Sequence, residues 1–307
     1  MSDLDKILRD YISLRRCLGF KLEREGRLLP DFVAFIERSG SPFITVPLAL
    51  AWAKQSADAS AYWWAIRLSM VRGLARYART IDARTEIPPK DVLPQIRPRH
   101  QPYIYSDADV TALMTATRRI RDPFRAHTYR TLIGLLASSG MRVGEAIALD
   151  RTDLDHERGV VTVRDGKFGK SREIPLHSTT LEALEEYARH RRRRFPRTRN
   201  LAFFLSLAET RLLYKDVHPA FLRLVEGAGL ADRKPHRPRI HDLRHSFAVR
   251  TLVDAYRGGL DVERRLPLLS TYLGHVSPSS TYWYLSAIPE LLGVAARRLE
   301  SSLGELP

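Results

Sequence analysis

Five prolines, Pro88, Pro89, Pro94, Pro98 and Pro102, interrupt the stretch IPPKDVLPQIRPRHQPY between Glu86 and the second half of this 307-residue chain. Each removes a backbone donor and fixes its own φ, so no continuous helix can run through the stretch. The chain is therefore expected to fold as two units, residues 1–86 and 104–307, joined by a linker over 87–103. At the usual ~100 to 200 residues per domain, the length allows each side its own core. A proline-rich connection stays extended and semi-rigid, which suits two bodies held on opposite faces of a bulky ligand such as a duplex.

Apolar residues in the first unit recur at threes and fours over 4–18, 28–36, 48–54 and 62–77, which predicts four helices and an all-helical unit. The second unit opens on Ser106, which with Asp109 forms an S-x-x-D capping box ahead of Val110, Leu113 and Met114. Helices are expected over 107–119, 126–138 (closed by Ser139 and Gly140) and 141–149. The alternation at 160–163, the Asp165-Gly166 turn and the run 171–176 predict a β-hairpin or small antiparallel sheet. Helices then follow over 179–194, 217–227, 241–256, 262–273 and 289–303, with an apolar run at 202–207 that fits a strand. The fold class is mainly α with a small antiparallel β-sheet.

Lys and Arg number 50 against 35 Asp and Glu, a surplus of 15 positive charges with a sequence pI near 10.2. Such a surplus points to a polyanion, and nucleic acid is the first candidate. A membrane surface fits less well, because the basic residues are spread along the chain instead of lying on one amphipathic helix. No apolar stretch approaches the roughly 18 residues needed to span a bilayer. The segment MSDLDKILRD lacks the apolar centre of a secretion signal, and the single cysteine, Cys17, can form no internal disulfide. Both observations predict a cytoplasmic, or nucleoid-associated, protein without a cysteine-based metal site. The basic run RHRRRRFPRTR at 189–199 reads either as a targeting or phosphate-binding patch or as a solvated helix end. The solvated end is favoured, since arginines there also answer the helix dipole.

Four patterns in the second unit combine chemistry-bearing residues: S-G-x-R-x-x-E at 139–145, G-K-x-x-K-x-R-x-x-P-L at 166–176, H-x-L-R-H-x-F-A at 241–248, and L-G-H at 273–275 followed nine residues later by Tyr284. Any one of them is weak evidence. In this order the set resembles the tyrosine recombinase (phage integrase) family, across the whole second unit and, more loosely, the helical unit and linker before it. The resemblance implies a core-binding, DNA-binding domain over 1–86 and a catalytic domain over 104–307. It also implies Arg142, Lys167, His241, Arg244, His275 and Tyr284 as catalytic residues, with double-stranded DNA as the partner.

Phosphodiester transesterification passes through a five-coordinate phosphorus with extra negative charge, and guanidinium forks match its non-bridging oxygens. Arg142 and Arg244 are the candidates, with Glu145 three residues beyond Arg142 on the same helical face and able to orient it. His241 and Arg244, also three apart, can present imidazole and guanidinium to one phosphate. Lys167, beside the hairpin turn, can serve as general acid for the leaving 5′-oxygen. The family pattern favours it over Lys170, although Phe168 stands where a glycine is usual. Tyr282 and Tyr284 would lie about 200° apart on a helix, so only one can face the phosphate, and the spacing from His275 selects Tyr284. Cationic neighbours would stabilise its phenolate.

The resemblance further implies a 3′-phosphotyrosyl intermediate, strand rejoining without ATP or metal, no cofactor, and a homotetramer assembled on paired DNA sites, with accessory recombinases as further partners. The C-terminal segment from Pro289, with an apolar stripe of Leu291, Leu292, Val294, Ala295, Leu299 and Leu303, either packs on its own domain or, as the resemblance implies and as is favoured here, docks on a neighbouring protomer. Alternatives are a type IB topoisomerase, which shares the chemistry, and a DNA-binding protein without activity. A metal-dependent transposase would need clustered carboxylates, and none stand out. HDLRH at 241–245 has the His spacing of H-E-x-x-H, but Asp242 replaces the glutamate and Arg244 would set a cation beside the metal, so His245 is read as structural.

Overall fold

The computed structural model describes residues 3–56, 58–94, 101–164, 171–274 and 293. Its contacts divide the chain into two compact units, Met1–Arg99 and His100–Pro307.

The first unit is built from α1 (Asp3–Cys17), α2 (Glu25–Arg38), α3 (Val46–Ala53) and α4 (Ala61–Ala78). Leu4, Ile7, Leu8 and Tyr11 recur at helical spacing and are the residues α1 buries. Thr45 caps α3, with a proline in its first turn, and Ser60 caps α4, each side chain accepting a backbone N–H of the helix it opens. The core closes around Phe32 and Trp52, whose rings lie 5.1 Å apart. Arg72 is buried, and its guanidinium donates to the carbonyls of Pro88 (2.8 Å) and Pro89 (2.7 Å). Ile87 and Leu93 pack on the same core, so the start of the proline-rich stretch is part of this unit's packing.

In the second unit α5 (Asp107–Ala116) starts at the expected capping box: Asp109 N–H donates to Ser106 Oγ, and Ser106 N–H to Asp109 Oδ2. A 3-10 turn, Thr117–Arg119, completes the expected 107–119 segment. Next, α6 (Pro123–Ser139) begins three residues before the expected start, because Asp122 caps it and Pro123 takes the first position. It packs against α5, α8 (Ser178–Arg194) and α10 (Asp242–Arg257), which makes it the central helix.

Gly140 ends α6 at φ 61°, and a Cβ there would lie 2.4 Å from Phe247 Cδ1, so only glycine fits. The chain then turns into α7 (Val143–Ala148) and a three-stranded antiparallel sheet in the order β1 (Leu154–Asp155), β2 (Val160–Val163), β3 (Arg172–Pro175). Leu154 pairs with Val161, and Val161 with Ile174. Among the described residues the remaining long helices are α9 (Tyr214–Gly227) and α11 (Val262–Leu273).

Two further local expectations differ. The run at 202–207 forms no strand, only single bridges from Ala202 to Asp150 and from Leu205 to Arg211, while the aromatic rings of Phe203 and Phe204 serve the core. Within the basic run, Arg191 is not solvated: it is 2% exposed, and its guanidinium donates to the Asn200 carbonyl at 2.6 Å. The chain after α8 folds back over the last turn of that helix and covers it. No helix among the described residues is long and apolar enough to cross a membrane.

Candidate active site

Arg142 stands at the N-cap of α7, delivered there by the Gly140 turn. Its backbone N–H donates to Glu145 Oε2 (2.9 Å) and its Nη1 to Glu145 Oε1 (2.7 Å), so the carboxylate holds main chain and side chain together. A second arginine joins from the sheet. Pairing of Val163 with Arg172 brings the start of β3 alongside, and Arg172 donates Nη1 and Nη2 to the same two oxygens at 3.1 and 2.8 Å.

Burial alone would raise the pKa of Glu145; the hydrogen bonds from Arg172 and from Arg142 outweigh it and bring the carboxyl down to about 2. The carboxylate is therefore ionised throughout the neutral range and fixes two guanidiniums at once.

Arg244, on the first turn of α10, is almost fully buried. It donates Nη1 to the Gly140 carbonyl (2.8 Å) and Nη2 to the Leu273 carbonyl (2.5 Å). Arg142 Nη2 reaches the Gly274 carbonyl (3.1 Å) and Arg172 Nε the Tyr272 carbonyl (2.8 Å). Three consecutive carbonyls at the end of α11 thus each take a guanidinium. The last carbonyls of a helix lack partners within it and carry the negative end of its dipole, so three cations hold this end in place. Gly274 closes the helix in the left-handed region, at φ 65°, with Arg172 packed where a side chain would be.

His241 is the N-cap of α10, one turn from Arg244. Desolvation, then the adjacent Arg244 and, more weakly, Arg142 and Arg239 hold its pKa down at about 4, against an opposing pull from Asp242. The residue as a whole is nonetheless exposed. The imidazole is neutral at pH 7 and can donate a hydrogen bond without adding charge. Asp242, fully buried, turns its carboxylate to Arg239, accepting from the backbone N–H at 2.9 Å and from Nη2 at 3.0 Å. It is a brace for the start of α10 and not a ligand beside the histidines.

The structure thus brings together Arg142, His241 and Arg244 of the six expected residues. Lys167, His275 and Tyr284 lie outside the described residues, as does the segment from Pro289 expected to dock on a neighbour. Their described flanks meet the cluster: the stretch holding Lys167 leaves β2 after Val163 and re-enters at Arg172, and His275 follows Gly274. Tyr272 is a tyrosine beside the cluster, but burial pushes its phenol up to about 12 despite Arg172 and Arg244, and its ring stacks on Phe247. It is poorly suited to attack. Arg172 stands in the G-K-x-x-K-x-R-x-x-P-L pattern with no task evident from its sequence position; the register of β2 with β3 assigns it one.

Residues 105–290 match the phage integrase family. The Sinorhizobium fredii protein y4rB, whose name carries the words integrase/recombinase, is 44% identical over 307 residues, covering 98% of each chain. Tyrosine recombinase XerC of Roseiflexus sp. (strain RS-1) is 34% identical over 169 residues, 54% of this chain and 47% of that one. Among solved structures, the Tn1549 transposon integrase in complex with transposon right end DNA superposes with a TM-score of 0.65 at 17% identity, covering 96% of this chain and 98% of that one. At that identity the likeness is one of fold.

Proposed function

Because the chain belongs to the phage integrase family of tyrosine recombinases, we propose that it cuts and rejoins duplex DNA at specific sites through a 3′-phosphotyrosyl intermediate, with Tyr284 as nucleophile. The observation that carries this reading is the convergence of Arg142 and Arg244 on the end of α11, the helix that leads into His275, with His241 beside the two arginines.

In this mechanism the Tyr284 phenol gives up its proton to water, its oxygen bonds to phosphorus, and the 5′-oxygen of the next nucleotide leaves, taking a proton from Lys167. Arg142 and Arg244 match the non-bridging oxygens, with His241 and His275 as further hydrogen-bond donors. A guanidinium has five N–H groups, so at Arg142 the bonds to Glu145 and to the Gly274 carbonyl orient the fork without exhausting it. The phosphotyrosyl bond conserves the energy of the broken backbone, and attack by an incoming 5′-hydroxyl reverses the step on a second strand. Fixed cations do at the phosphate what a metal does elsewhere, so neither metal nor nucleotide enters the reaction.

The helical first unit contributes DNA binding, and exchange between two duplexes takes four breaks, hence a homotetramer on paired sites. The test is strand exchange between two linear duplexes bearing the cognate site, run in EDTA without ATP. Recombinant products are expected. Relaxation of one supercoiled duplex with no exchange would favour a topoisomerase, and a requirement for Mg²⁺ would refute the mechanism.

A further inference from the structure

Away from the arginine cluster, three side chains of α6 and α8 have the spacing of a metal site. His127, Glu186 and His190 each offer one ligand atom, and these atoms all lie within 4.8 Å of one another. Glu186 and His190 are one turn apart on α8, with Glu186 Oε1 3.8 Å from His190 Nε2. His127 faces them from α6, its ring centroid 4.5 Å from that of His190 and 5.9 Å from that of Tyr187, on which it stacks.

The second observation is the state of His127. Its Nε2 is buried and has no hydrogen-bond partner. A buried imidazole nitrogen is normally satisfied, and one left without a partner is a place where a ligand gains free energy. An open recess of about 390 Å³, lined by His127, Glu186, Thr180 and Arg130, adjoins the group and supplies an entry path and room for water.

We propose that His127, Glu186 and His190 bind one divalent transition-metal ion, zinc by preference, with water as the fourth ligand. Two imidazoles and a carboxylate are a donor set that zinc takes in tetrahedral geometry, whereas calcium and magnesium call for oxygen-rich shells. Around zinc the ligand atoms sit about 3.3 Å apart, given bonds near 2.0 Å. The group needs to close by roughly 1 to 1.5 Å from its widest separation, which rotation of the exposed Glu186 and the half-exposed His190 allows. Arg130 at the rim opposes a cation, and the Glu186 charge offsets it.

Such an ion would pin α6 to α8. His127 lies about 18 Å along the α6 axis from Ser139, at 1.5 Å per residue, so the ion takes no part in the phosphate chemistry and the site stands independently of the proposed reaction. It would stiffen the helix that ends at the Gly140 turn and carries Arg142.

The experiment uses the full chain without a histidine tag, stripped with EDTA and desalted, then titrated with Zn²⁺ by calorimetry and with Co²⁺ by visible absorption. One equivalent of zinc and the absorption of tetrahedral cobalt are expected. His190→Gln at a half-exposed position and Glu186→Gln at an exposed one, both expected to fold as the parent by circular dichroism, should each weaken binding at least about tenfold. His245→Gln, in the other histidine pair, should leave it unchanged. Absence of saturable binding, a cobalt spectrum without the tetrahedral signature, binding indifferent to both α8 substitutions, or loss in His245→Gln would each overturn the proposal.

Discussion

Replacing Glu145 with glutamine keeps the shape of the side chain and removes the charge on which Arg142 and Arg172 converge. The carboxylate accepts four N–H bonds, at 2.9, 2.7, 3.1 and 2.8 Å, with its side chain 8% exposed. Its pKa falls from 4.5 to about 2, and a difference of about 2.5 at 1.36 kcal/mol each corresponds to roughly 3 kcal/mol of folding stability. Removing one partner of a buried ion pair costs a similar ~3–5 kcal/mol, because the stranded charges stay behind.

The sign follows from the depressed pKa. The contribution is fully present above pH 4.5 and is lost as the pH falls toward 2. Urea unfolding at pH 7 should therefore show Glu145→Gln less stable by about 2 to 4 kcal/mol, with the gap narrowing below pH 4.5. Covalent attachment to a nicked half-site should slow about a hundredfold, the usual penalty for a group misplaced by an ångström. Binding to the uncut duplex should change little, since Glu145 is turned to its arginines and not to the surface. Combined with Arg172→Gln, the two changes should be less than additive by at least about 1 kcal/mol. Unchanged stability together with an unchanged rate would refute the claim that this carboxylate holds the site in place.

His241 carries a second prediction. Its folded pKa of about 4 lies below the ordinary 6.5, so the unfolded chain takes up the proton first, and stability falls as the pH drops from 6.5 to 4. Urea midpoints should show this slope, His241→Gln should flatten it, and adduct formation by the parent should show no inflection near pH 6.5. Gly140→Ala should cost about 2 to 5 kcal/mol, from left-handed strain and the clash with Phe247, measured by urea unfolding. DNA affinity should fall steeply and linearly on logarithmic axes as salt rises, read by filter binding, as expected when arginines and lysines displace counterions.

The helices were legible because their apolar residues repeat at three and four and because caps such as Ser106 with Asp109 announce their starts. The start of α6 was missed because its signal is polar: Asp122 and Pro123 precede the apolar series. Strand β1 has two residues and no period to detect. At the site, the motifs pointed to Arg142, His241 and Arg244, whose chemistry is visible in residue type. The supporting contacts were not visible. Arg172 meets Glu145 only through the pairing of β2 with β3, and the carbonyls of Tyr272, Leu273 and Gly274 meet three arginines only after α11 has packed against α10. Arg191 shows the same limit: four arginines in a row look alike until the chain beyond them covers one.

The central claim is that Tyr284 forms the covalent bond to DNA in a site built by Arg142 and Arg244. Suicide half-sites, incubated with the parent chain and with Tyr284→Phe, Tyr282→Phe and Tyr272→Phe and then run on denaturing gels, test it most directly. A protein–DNA adduct is predicted for the parent and for the Tyr282 and Tyr272 variants, and none for Tyr284→Phe, which should still bind the uncut duplex. An adduct that persists in Tyr284→Phe and disappears in either of the other two would contradict the assignment.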